Sequence, residues 1–151
     1  MTDRLYTTKQ MGDAGEMLVA AELTLAGIPA LTVPDNWPHY DIIAQPPPDW
    51  SGCSTPLPQR ISVKTRTFSD DDRTISYNST DEFDWLAIVI LKQESKSRSI
   101  FIVPSEIAEE RCYKTSGSHR NRRFVIRKLS ELLGSYEGNF SLNRRPVQTR
   151  A

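Results

Sequence analysis

Apolar residues recur at Met11, Ala14, Leu18, Ala21 and Leu25, at spacings of three and four. That period lays them on one face of a helix and predicts an α-helix over residues 9–26. Thr7 or Thr8 offers an N-cap hydroxyl, and Gly27 stands where a helix-ending glycine belongs. Gly12 and Gly15 each cost about 1 kcal/mol relative to Ala inside a helix. A close approach of another backbone to the first turns, or a helix start nearer Asp13, would account for them.

The period then shortens. Residues 28–33 form a short apolar run that ends in the turn residues Pro34, Asp35 and Asn36. Residues 41–44 read as a second strand entered through Asp41. Pro46, Pro47, Pro48, Pro56 and Pro58 make residues 45–58 a loop, because proline removes a ladder donor. Residues 60–67 alternate Ile61, Val63 and Thr65 with Ser62, Lys64 and Arg66, which predicts a strand with one polar face. Asp70, Asp71 and Asp72 make a turn. Residues 85–91 and 100–103 are apolar strands, joined as a hairpin by the polar residues 92–99. Pro104 then opens a short helix reaching Glu110, its missing N–H costing nothing there. Phe124, Val125 and Ile126 form either a last strand or the lead-in to a helix over residues 129–133, closed by Gly134. Helix, several strands, then helix predicts an α+β or α/β sandwich, with α/β preferred, on a central mixed β-sheet flanked by helices.

A chain of 151 residues is expected to make a single domain, over residues 1–143, with residues 144–151 as a flexible basic tail. The longest apolar run is strand-sized and far from the ~20 residues of a membrane span. The N-terminus lacks the basic-then-apolar layout of a secretory signal. Cys53 and Cys112 lie far apart without Cys-x-x-Cys spacing, which speaks against zinc and against a disulfide. These features read as a cytoplasmic protein with no membrane partner.

The net charge of zero conceals a segregation. Residues 1–110 hold 9 Lys/Arg against 17 Asp/Glu, whereas residues 111–151 hold 10 against 2. A cationic C-terminal quarter is one footprint of nucleic-acid binding; equally, it can fold back and neutralise the acidic part. Arg66, Arg120, Arg122, Arg123 and Lys128 are the candidate phosphate contacts, since guanidinium forks match phosphate oxygens.

Three polar residues stand out by placement. Glu16 lies in the first turns of the helix, Asp41 opens a strand, and Lys64 shares a strand face with Ser62 and Arg66. If the strands of Asp41 and Lys64 pair, a carboxylate and an ammonium come to one side of a hairpin, near the helix of Glu16. Phosphodiester hydrolysis needs a cation to neutralise phosphate charge and a polarised water to attack it. Two carboxylates supply hard oxygen ligands for Mg²⁺, and a lysine orients the water or stabilises developing charge.

Gly12-x-x-Gly15-Glu16, then Tyr40-Asp41-Ile42-Ile43-Ala44, then Ile61-Ser62-Val63-Lys64-Thr65 resembles the PD-(D/E)XK nuclease superfamily. The pattern is most similar to the small archaeal-type Holliday-junction resolvases and their uncharacterised bacterial relatives. The resemblance covers about the first 65 residues specifically. It implies a restriction-endonuclease-like α/β fold and metal-dependent DNA endonuclease activity, structure-specific in some members. It also implies Mg²⁺ or Mn²⁺ as cofactor and a homodimer acting on two strands. Glu16, Asp41 and Lys64 match the helical acid, the first metal-binding acid and the lysine; Val63 would serve through its backbone carbonyl. The pattern departs at the acid two residues before the lysine, where this chain has Ser62. Three consequences are open: Glu16 moves into direct contact with the metal, the Asp70–Asp72 turn reaches back, or the site is degenerate and binds DNA or a partner without cutting. A literal Pro34-Asp35 pair also exists, but no strand follows it, so Asp41 is preferred.

Each residue taken singly has an ordinary explanation. A helical Glu is usually solvated, an Asp before a strand commonly caps a turn, and a Lys between arginines is often an exposed strand face. Order and strand context together favour the site. His39 reads as a loop histidine, and His119 belongs to the basic stretch. Trp37, Trp50 and Tyr77 can stack on bases, although aromatics beside loops more often plug core edges.

Overall fold

A computed structural model gives the structure, which describes residues 5–114, 117 and 119–146. Helix α1 (Thr8–Leu25) opens on Thr7, whose hydroxyl accepts from the Gln10 N–H while the Gln10 side chain accepts from the Thr7 N–H. This reciprocal cap satisfies two of the donors that a helix start leaves free. Ala26 and Gly27, the latter at φ +98°, end the helix as predicted.

Strands β1 (Ala30–Thr32), β2 (Ile42–Ala44), β3 (Gln59–Thr67), β5 (Trp85–Lys92) and β6 (Ser97–Pro104) form one sheet in the order β1-β2-β3-β5-β6. All neighbours are antiparallel except β3 and β5, which run parallel, so the sheet is mixed. The predicted β5–β6 hairpin forms, with both strands longer than their apolar cores and a turn of only residues 93–96. A second sheet, order β4-β8-β7, contains β4 (Thr74–Asn78), β7 (Tyr113–Lys114) and β8 (Asn121–Val125). Helices α2 (Ser105–Arg111) and α3 (Leu129–Leu133) complete the described elements with two 3₁₀ turns.

The central sheet separates two cores. Period-2 alternation turns Ile61, Val63, Trp85, Ala87, Val89, Ile100 and Ile102 to one face, against Val19 and Leu23 of α1. It turns Leu86, Ile88, Ile90, Phe101 and Val103 to the other, against Ile75, Tyr77 and Phe124 of the small sheet and residues of α2 and α3. β5 is therefore buried on both faces, which is why it reads as a continuous apolar run.

Several expectations need correction. The buried stripe of α1 is Met11, Gly15, Val19 and Leu23; of the predicted face Met11 is buried and Leu18 packs half-buried on the core, whereas Ala21 and Leu25 are exposed. Gly15 decides this rotation, because it lets the helix press directly on β3. β4 escaped prediction although Ile75 and Tyr77 alternate with polar residues, the signal of a half-buried strand. Residues 124–126 divide between the two readings offered: Phe124 and Val125 end β8, and Ile126 begins the 3₁₀ turn before α3. Residues 144–146, expected to open a flexible tail, are tied to the fold. Asn139 accepts from the Asn143 N–H and donates to the Asn143 carbonyl, and Arg144 reaches Glu106 at 2.8 Å. Residues 147–151 lie outside the described residues. Both cysteines are free thiols, and no described helix is long and apolar enough to cross a membrane.

Candidate functional site

β3 has nine residues, but β2 pairs only with its first three, Gln59, Arg60 and Ile61. Beyond Ile61, the edge of β3 facing β2 has no ladder partner. Backbone alternation turns the N–H and C=O of Val63 to this uncovered edge, as it does those of Ile61, whose carbonyl accepts from the Asp41 N–H at 2.9 Å. The Asp41 carboxylate, just ahead of β2, fills the gap by accepting from the Val63 N–H at 2.7 Å. Among the described residues the Val63 carbonyl keeps no ladder partner.

α1 brings Glu16 to the same edge through its neighbour. A Cβ on Gly15 would lie 1.8 Å from Thr65 Oγ1 and 3.0 Å from Thr65 Cβ. Only glycine lets α1 lie this close to β3, and the next residue along the helix is Glu16. The Glu16 carboxyl is pushed up to about 7, first by burial, then by the charge and proximity of Asp41, with Asp13 and Asp35 adding smaller repulsion. Glu16 and Asp41 thus form a close carboxylate pair in a half-buried setting. Asp13 and Asp35 are engaged by Lys9, at 2.9 and 3.4 Å.

This pairing has a consequence for stability. A carboxyl whose pKa is raised on folding contributes stability that is complete below about 4.5 and is lost as pH rises through about 7. Glu16→Gln is expected to remove this slope and to raise stability at pH 8 by about 1–2 kcal/mol. Water reaches the half-buried carboxyl and discounts the full shift. Thermal melts between pH 5 and 8 in chelator test this; parallel profiles for both proteins would refute it.

Ser62, Lys64 and Arg66 share the opposite face of β3 and grade from buried through half-buried to exposed. The β2–β3 ladder ends at Ile42↔Ile61, and Asp41, just ahead of it, donates its N–H to the Ile61 carbonyl, with Ser62 and Lys64 following on β3. The strands of Asp41 and Lys64 therefore pair as expected. Lys64 forms no ion pair among the described residues, with Asp41 or with any other acid. A half-buried ammonium without a carboxylate is a cation left available for an anionic ligand. The Asp70–Asp72 turn does not reach the site. Asp72 binds Arg127, and Asp71 binds Ser69 and the Arg73 N–H. Among the described residues, no three His, Cys, Asp or Glu side chains gather closely enough to hold a metal ion.

The expected phosphate contacts separate. Arg122 is committed to Glu109 at 2.8 Å with its side chain only 13% exposed. It shares a β8 face with buried Phe124, so strand alternation carries it inward and away from a phosphate-contact role. Arg123 points to the other face, beside the Asn121 amide. Arg120 and Lys128 are exposed, and Arg66 donates to the Thr65 carbonyl at 2.8 Å. His39 accepts from the Glu82 N–H at 3.2 Å, which fixes the loop ahead of Asp41. Tyr77 is buried in the core and donates to Glu109, and Trp50 donates to the Ser141 carbonyl. Trp37 is the aromatic of the three that stays largely exposed.

No protein-family model matches the chain, and no curated protein matches it. Among solved structures, the chain is similar to the bacterial homing endonuclease I-Ssp6803I, with a TM-score of 0.51 at 14% identity. The match covers 80% of this chain and 77% of that one. At such identity the likeness is one of fold. The chain has a mixed α/β, endonuclease-like fold, a central mixed sheet flanked by helices.

Proposed function

We propose that the chain is a metal-dependent DNA endonuclease of the PD-(D/E)XK type, with structure-specific cutting as one form of that activity. The observation that carries this reading is the Glu16–Asp41 carboxylate pair at the uncovered edge of β3, beside the unpaired carbonyl of Val63. Two carboxylates that repel each other at neutral pH are relieved by a cation. An all-oxygen set suits Mg²⁺ or Mn²⁺, of which Mg²⁺ retains several waters of its own. Asp41, Glu16 and the Val63 carbonyl would hold the ion, and its chemistry is to neutralise phosphate charge and lower the pKa of a bound water.

The chain's own groups do the rest. The Val63 N–H fixes Asp41, and the Gly15 contact fixes the turn that carries Glu16. Lys64, free of any described carboxylate, meets the phosphate or the attacking water as charge develops. Ser62 contributes a hydroxyl and no charge. Arg66, Arg120, Arg123 and Lys128 supply backbone contacts, and a second copy would allow cutting of both strands. The likeness to a homing endonuclease agrees with this reading.

The alternative, a nuclease fold that binds DNA or a protein partner without cutting, is favoured by Ser62, 1% exposed where the pattern has an acid. Nicking of supercoiled and branched DNA with Mg²⁺ and Mn²⁺ separates the two. Cleavage is expected, and Lys64→Ala should lower it by about 10²–10³-fold, the usual loss of one charge-stabilising group. Ser62→Glu should raise it by restoring a third carboxylate. Inert protein with every metal, before and after Ser62→Glu, would leave the binding reading standing.

A further inference from the structure

The cationic C-terminal quarter does fold back on the acidic part, but incompletely. Arg122 and Lys114 reach Glu109, Arg127 reaches Asp72 and Arg144 reaches Glu106. Arg111 and Arg145 have no carboxylate partner among the described residues. They line one cleft of about 710 Å³ together with Arg144, Glu106, Ser135 and Tyr136. Three guanidiniums against one carboxylate leave this cleft with two uncompensated positive charges.

Two of the three guanidiniums, those of Arg111 and Arg144, are held in place, and Arg145 is fixed through its backbone. Arg111 donates to the Leu132 carbonyl at 3.1 Å and lies 5.7 Å from the centre of the Tyr136 ring. The Tyr136 hydroxyl donates to the Arg144 carbonyl at 3.2 Å, and the Arg144 guanidinium sits 5.1 Å from the Trp85 ring centre. The Arg145 N–H is bound by the Asn143 side chain at 3.0 Å, and Asn139 anchors Asn143 to the rest of the molecule. Ordering of the Arg111 and Arg144 side chains has largely been met on folding, so an arriving anion loses less to entropy there. Planar guanidinium forks with a hydroxyl nearby favour tetrahedral oxyanions, phosphate above all.

We propose that this cleft, formed by α2, the turn after α3 and residues 144–146, binds a backbone phosphate of a polynucleotide. It shares no residue with the Glu16–Asp41 site, so it acts as a separate anchor. The inference rests on the nucleic-acid reading above but not on cutting.

The test is equilibrium binding of a fluorescein-labelled duplex in chelator between 50 and 200 mM KCl, where no cleavage step enters. Arg111→Gln/Arg145→Gln is expected to weaken binding by about tenfold or more at low salt and to flatten the salt slope by about two. Arg145→Gln alone, whose side chain makes no bond among the described residues, should flatten it by about one and so guards against a folding defect. Unchanged affinity and slope in the double variant would overturn the proposal. So would saturation by millimolar inorganic phosphate or AMP without duplex binding, which would mark a small-phosphoester site. A slope change in a protein that never cuts would keep the anchor and discard the nuclease reading.

Discussion

Asp41→Asn is expected to lower metal-dependent cleavage by at least ~10³-fold, about 4 kcal/mol of barrier, without loss of folding. The substitution separates two tasks of one side chain. The Asn oxygen still accepts from the Val63 N–H, which Asp41 holds at 2.7 Å, so the backbone stays satisfied. The negative charge disappears, and with it half of the pair proposed to hold a cation. The Asn amide can also donate to Glu16, converting a repulsive contact into an attractive one. Glu16, pushed up to about 7 beside Asp41, should then titrate nearer its ordinary value, and the variant should melt slightly higher above pH 7. Asp41→Ala is the less informative change, because an orphaned Val63 N–H costs about 1–3 kcal/mol by itself. Single-turnover nicking rates and melting curves on the same preparations check both arms. Cleavage within tenfold of wild type would remove Asp41 from the mechanism.

Gly15→Ala carries the second large effect, on stability. A methyl at this position meets Thr65 Oγ1 at 1.8 Å, Cβ at 3.0 Å and Cγ2 at 3.2 Å. Rotating Thr65 does not relieve the contact, since its Cβ is already tight and a β-branched side chain has few rotamers. The helix has to move. Overpacking of this kind costs about 1–3 kcal/mol, and the better helix propensity of Ala returns at most about 1. A net fall in melting temperature of several degrees is expected, since about 1 kcal/mol corresponds to 2–4 °C in a chain of this size. Glu16 is displaced with the helix, so activity should fall further than stability. Thr65→Ala provides the control. It removes a buried hydroxyl that has no hydrogen-bond partner among the described residues, so alone it should be nearly neutral. Combined with Gly15→Ala it should restore part of the loss. Additive behaviour of the two substitutions would show that the helix–strand approach is not what Gly15 provides.

Legibility in the sequence followed local periodicity. α1, β3, β5, β6 and the short α2 announce themselves through spacing, a cap or a proline, which are properties of neighbouring residues. β4 was equally periodic but brief and polar, between an aspartate turn and an Asn-Ser-Thr turn, and so passed for loop. The helix face was misjudged because hydrophobicity alone cannot show that a glycine, rather than an alanine, sits at the tightest contact. The basic quarter illustrates the same division. Its composition was plain, but which arginines were neutralised depended on distant acids such as Glu109, Glu106 and Asp72.

The sequence by itself determined the order of chemistry: an acid on a helix, an acid at the mouth of a strand, then a serine and a lysine alternating on another. It also marked residues 85–91 and 100–103 as apolar strands. Only the tertiary structure decided that β2 stops early and exposes the edge of β3, and that Asp41 turns to the Val63 N–H there. It alone decided that Glu16 arrives beside Asp41 by way of the Gly15–Thr65 contact. The reason is physical: periodicity is set by bonds between near neighbours, whereas the closeness of two carboxylates depends on packing between segments 25 residues apart.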